Sequence, residues 1–110
     1  DIYTVLQPDL CVICDKSKLD DRGCLGAPDL VVEILSPGNN KKELLYKYKV
    51  YEEFGVSEYW IVSFSDQTIL KYTLNNDGRY EPSKIFTLGE TIGSTVLTGF
   101  VLNVDAAFED

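Results

Sequence analysis

Apolar positions come in short runs along this chain, separated by proline, glycine and asparagine. The densest run is PDLVVEILSP, residues 28–37. Leu30, Val31, Val32, Ile34 and Leu35 make the nearly continuous apolar pattern of a strand buried on both faces. Glu33 interrupts it. A glutamate is almost never fully buried unless it is paired or bound to a cation. Pro37 and Gly38 end the strand, and Asn39 and Asn40 are good helix caps. Residues 41–54, KKELLYKYKVYEEF, then read as a helix stopped by Gly55. Leu44, Tyr48 and Tyr51 fall on one face of it, flanked by Leu45 and Phe54.

Strands are also predicted over residues 8–14 and 57–64. The segment TVLQPDLCVIC carries the first of them back to Ile2 or Thr4. After SEYWIVSF comes a turn at Ser65–Gln67, and TILKYTL pairs back as a hairpin. NNDG, residues 75–78, is a second turn signal. Two more strands are expected near 80–87 and 96–104. DKSKLDDRGCLGA reads as a polar, glycine-bearing connection. This order predicts an α/β (α+β) fold, a mixed sheet packed against one main helix. Residues 28–64 form a crossover between parallel strands.

Composition narrows the chemistry. A chain of 110 residues is one domain, and 45% hydrophobic content makes it globular. No apolar run approaches the roughly 18 residues of a membrane span. No leader or lipidation signal is evident, so a cytoplasmic protein without a membrane partner is expected. The net charge of −8 argues against a non-specific nucleic-acid coat. It leaves a metal-dependent enzyme open, because clustered carboxylates are what a hard cation needs. The absence of histidine removes histidine triads, histidine bases and most catalytic zinc sites. Cys11 and Cys14 lie in a strand at an odd separation, so they point to opposite faces and chelate poorly. With Cys24 they read as buried free thiols in a reducing compartment.

Two strands open alike, Pro8–Asp9 and Pro28–Asp29. Alternation puts Asp29, Val31, Glu33 and Leu35 on one face, and Asp9, Cys11 and Ile13 on one face of the other strand. If the strands are neighbours, Asp9 and Glu33 can converge on Mg²⁺, which binds through one or two carboxylates plus water and substrate phosphate. A buried glutamate paired with a lysine for structure alone is the competing reading. Lys47 shares the helix face of Leu44 and Tyr51. It can snorkel, or it can reach back to Glu33, with Glu43 one turn earlier to orient it. Two strand carboxylates and a lysine are the toolkit of metal-assisted phosphodiester cleavage.

These residues carry a resemblance. QPDL, GAPDLVVEILSP and the helix leading to GVSEYWIV resemble the Uma-two family of restriction-endonuclease-like proteins, in the PD-(D/E)XK nuclease superfamily. The resemblance runs across nearly the whole chain. It implies a restriction-endonuclease-like core and Mg²⁺- or Mn²⁺-dependent cleavage of DNA. By position it implies Asp9, Glu33 and Lys47 as catalytic residues, with Asp9, Glu33 and the carbonyl of Ile34 holding the metal. The usual motif lysine falls at Leu35, and Lys47 takes its place from the helix. The chain departs from the family at Ser63, where an aspartate is usual. Family members also carry a further segment before QPDL, so residues 1–110 are expected to be a single, N-terminally incomplete domain.

A homodimer is expected, with Tyr59, Trp60 and Tyr72 as contact candidates, because an incomplete sheet leaves an edge or an apolar face uncovered. DNA phosphate would sit at the helix N-terminus after Ser36–Asn40. The alternative function is a catalytically silent dimeric interaction module that keeps the nuclease fold.

Overall fold

The structure is a computed structural model that describes residues 9–12, 19–20, 23–24, 28–35 and 41–109. In chain order the elements are β1 (Leu10–Val12), β2 (Leu19–Asp20), β3 (Gly23–Cys24), β4 (Leu30–Leu35), α1 (Lys41–Phe54), β5 (Glu58–Ser63), β6 (Thr68–Leu74), β7 (Tyr80–Phe86), β8 (Thr91–Gly93), β9 (Val101–Asn103) and α2 (Val104–Ala107). Five strands form one mixed sheet in the order β1-β4-β5-β6-β7. β4 and β5 are parallel, in register from Leu30↔Glu58 to Leu35↔Ser63, with α1 as the crossover. The other three pairings are antiparallel.

Alternation along β4 and β5 sorts side chains onto two faces. Leu30, Val32, Trp60 and Val62 point away from α1 and pack with Ile69, Phe86, Ile92 and Val104. Ile69 is fully buried there, which contributes about 1.5–3 kcal/mol for such a side chain. Val31 and Tyr59 point to the α1 face and pack with Tyr51, Val56 and Tyr80. Tyr48 and Tyr72 complete this layer of tyrosines, with ring centroids 5.0 Å apart edge to face.

The strands expected at 8–14, 28–36 and 57–64 lie in one sheet over their described residues, and α1 packs on it. Residues 1–8, 13–18 and 36–40 lie outside the described residues, and with them the early start of the first strand, Cys14 and the phosphate site at the start of the helix.

Five expectations are corrected. The segment 96–104 is strand only over Val101–Asn103, paired with β8. Before it the chain turns: the Ser94 hydroxyl accepts from the amides of Val96 and Leu97 at 3.0 Å, and Gly99 has φ +81°. The connection after β1 holds a small hairpin, β2–β3. On α1, Leu45 and Phe54 are exposed and Val50 is buried. The inward arc is centred on Lys47 and Tyr51, because α1 lies over Glu33 and Tyr59, with Tyr48 reaching on to Tyr72 and Tyr80. Tyr59 and Trp60 are almost wholly buried and cannot be dimer contacts, since β5 is central and covered on both faces. Cys11, finally, is an exposed free thiol, because β1 is the edge of the sheet among the described residues.

Candidate active site at the β1–β4–α1 corner

Glu33 is only 4% exposed. Both of its oxygens are taken by α1. Lys47 donates from Nζ to Oε1 at 3.2 Å, and the Tyr51 hydroxyl donates to Oε2 at 2.5 Å. Lys47 and Tyr51 are one helical turn apart, so a single helix face supplies both donors. Glu43, one turn before, lies 3.5 Å from the same ammonium.

Charge follows this geometry. Partial burial alone would push Lys47 down, but the hydrogen bond and charge of Glu33, helped by Glu43, outweigh it. The ammonium is held above its ordinary value and stays protonated. Burial, the Glu33 hydrogen bond and the Glu33 charge push Tyr51 far upward, with smaller contributions from Tyr59 and Asp9, so its hydroxyl remains a donor.

Asp9 precedes β1, on the strand next to β4. Extending the register Leu10↔Val32 by one position sets Asp9 opposite Glu33, on the same face. Its carboxylate accepts the Ile34 amide at 2.7 Å, so a side chain continues the ladder where the strand pairing stops. The amide and carbonyl of one strand residue point to the same side. The Ile34 carbonyl therefore faces the Asp9 edge as well.

Asp9, Glu33, Ile34 and Lys47 thus meet at one corner. Tyr51 belongs with them and was not anticipated as a partner, although its spacing of four from Lys47 was the available signal. Leu35 faces an apolar trough of about 530 Å³ with Leu44, Tyr48, Ile61 and Tyr72. Ser63 is buried and bonds within its own turn to Asp66.

The donor set fits a divalent cation of the Mg²⁺ type. A carboxylate offers about four lone-pair directions, and Glu33 spends two on Lys47 and Tyr51. Asp9 is exposed and spends one on Ile34. Among the described residues no group of three Asp, Glu, Cys or His side chains gathers into a cage. The corner therefore suits an ion that keeps water and takes its remaining ligands from a substrate phosphate.

A second buried glutamate gives the contrast. Glu58 is fully buried on the opposite face. It accepts from Trp60 Nε1 at 2.7 Å, and from the Thr95 amide and hydroxyl at 2.9 and 2.7 Å. Its partners come from two separate segments and enclose it, so it latches the 94–97 turn to β5. Glu33 instead faces the exposed edge where Asp9 stands.

A family model described as "Uma2: Putative restriction endonuclease" matches residues 3–105. Among solved structures, a "putative nuclease belonging to DUF820 from Anabaena variabilis" superimposes with a TM-score of 0.66 at 20% identity, over 84% of this chain and 54% of that one. The chain spans about half the length of that solved relative, and the likeness establishes the mixed sheet with one main helix. A comparison with curated proteins gave no match. Among the described residues no helix is long and apolar enough to cross a membrane.

Proposed function

The chain belongs to the Uma2 family, described as "Putative restriction endonuclease", and from that premise we propose that its β1–β4–α1 corner is the site of a Mg²⁺- or Mn²⁺-dependent DNA endonuclease. The observation that carries this reading is Glu33. It is buried and held by Lys47 at 3.2 Å, on the strand beside Asp9. Asp9, Glu33 and the Ile34 carbonyl would hold the cation. When bound, it supplies a Lewis acid for a phosphoryl oxygen and an acidified water.

The chain's own groups do the rest. Asp9 and Glu33 present negative charge at one edge, where only a cation lets a phosphodiester approach. The Lys47 ammonium, protonated at neutral pH, offsets charge that builds on the phosphorus oxygens and orders water beside them. Tyr51 and Lys47 together keep the Glu33 carboxylate from rotating.

The test is a thermal melt under Mn²⁺ or Mg²⁺ titration, paired with cleavage of plasmid DNA. A ligand at 100 times its Kd stabilises by about 2.7 kcal/mol. The melting temperature should rise with metal in the wild type and stay flat in Asp9→Asn and Glu33→Gln. A wild type that ignores both metals sinks the proposal. That result would favour the second reading, a catalytically silent dimeric module, which the net charge of −8 supports.

A further inference from the structure

Tyr51 is tied to this corner by one polar contact, its 2.5 Å hydrogen bond to Glu33 Oε2. Its ring is fixed separately. It packs edge to face on Tyr59, with centroids 5.1 Å apart and planes at 68°. Its backbone carbonyl accepts the Val56 amide at 3.0 Å, where the chain leaves α1 for β5. Ring and backbone are thus anchored by the scaffold, and the hydroxyl is left to act on the carboxylate.

Glu33 needs such a partner. Lys47 holds only Oε1, and a carboxylate held at one oxygen can turn about its terminal bond. A donor on the second oxygen fixes the plane of the group and so the direction of its unused lone pairs. We infer that Tyr51 is a positioning residue, whose hydroxyl aims the free lone pairs of Glu33 at a divalent cation shared with Asp9. The inference rests on the cation site proposed above and adds the residue that sets its geometry. Outer partners of metal-holding carboxylates typically change affinity by about 10- to 100-fold when removed.

Tyr59 supplies an internal control. It is fully buried in the same cluster, and its hydroxyl has no hydrogen-bond partner among the described residues. Removing that hydroxyl deletes the same atom from the same layer without removing a hydrogen bond from Glu33.

The experiment compares Tyr51→Phe with Tyr59→Phe. Mn²⁺ affinity is measured by calorimetry, and the metal-free melting temperature of each chain is recorded beside it. Tyr51→Phe should weaken Mn²⁺ binding by about 10- to 100-fold, and Tyr59→Phe should leave it unchanged. Unaltered affinity in Tyr51→Phe overturns the inference and leaves the cation site standing. Equal weakening in both variants overturns it as well, because the effect would then belong to the tyrosine layer as a whole. A Tyr51→Phe chain that does not fold assigns the hydroxyl to the scaffold and has the same force. A wild type that binds no Mn²⁺ removes this inference together with the site beneath it.

Discussion

Replacing Lys47 by leucine separates a structural ion pair from a solvent-seeking lysine. In the wild type the ammonium lies 3.2 Å from a carboxylate whose side chain is 5% exposed, while the Lys47 side chain is itself 17% exposed. Removing one partner of a fully buried pair typically costs about 3–5 kcal/mol. Three features lower that figure here. The ammonium is partly solvated, so less attraction is lost, and Tyr51 still donates to Glu33. Leucine also packs well beside Leu44 and Tyr48. The expected cost is about 2–3 kcal/mol at neutral pH, on the order of a 10 °C fall in melting temperature for a domain of this size. Urea denaturation of Lys47→Leu, Glu33→Gln and the double variant completes a cycle, and the coupling should reach about 1–3 kcal/mol. A Lys47→Leu cost within about 0.5 kcal/mol of zero, the range of an ordinary surface change, would refute the reasoning. So would strict additivity in the double variant.

Three further outcomes are expected. Glu58→Gln keeps one acceptor oxygen and puts an amide NH₂ against the donor of either Trp60 or Thr95, and should cost about 1–3 kcal/mol in urea while leaving the metal titration unchanged. In alkali, burial holds Tyr51, Tyr59 and Tyr80 above their ordinary value of 10.0. Their contribution is therefore complete below about pH 10 and is lost as pH rises beyond it; tyrosinate absorbance of these three should appear together with unfolding, and a gradual appearance in a folded chain would contradict the burial. In acid, the Lys84 hydrogen bond, with the Thr87 amide, pushes Glu90 down to about 2 from 4.5. That contribution is present above the ordinary value and is lost as pH falls toward 2, so Glu90→Gln should flatten the stability profile across this window.

Much of the corner was legible in the sequence because it rests on strict periods. Alternation places Glu33 with Val31, and Asp9 aligns with it once β1 and β4 are neighbours, while helical spacing puts Lys47 on the face of Tyr51. The exact phase of α1 was harder to read. Leu44, Leu45, Tyr48, Tyr51 and Phe54 are compatible with several rotations, and contact with Glu33 and Tyr59 chose the one that exposes Leu45. Spacing puts Tyr51 on the Lys47 face as a ring, but that its hydroxyl meets a carboxylate eighteen positions earlier depends on how α1 docks on β4. Trp60 reads as an interface residue for a similar reason, while Tyr59 is covered by α1 and its tyrosines. The far face of β5 is covered by short pieces around β8, β9 and α2, whose sequences carry little period. Ser94 and Gly99 break the run that had suggested a longer strand.

The sheet also has a built-in order of assembly. β5, β6 and β7 are joined by short turns, so Ser63 meets Thr68 and Leu74 meets Tyr80 at small loop-closure cost. β4 meets β5 only after the whole of α1 has been laid down, with Leu30 reaching Glu58, and β1 adds just three residues to the outer edge. Contacts of longer sequence separation close more slowly. Thin edge elements likewise open at lower free energy than the interior. The hairpins are thus the early, persistent half of the domain. The three-residue β1–β4 edge, where Asp9 stands opposite Glu33, is its most easily opened part, and a cation bridging those two strands would act as a staple across it.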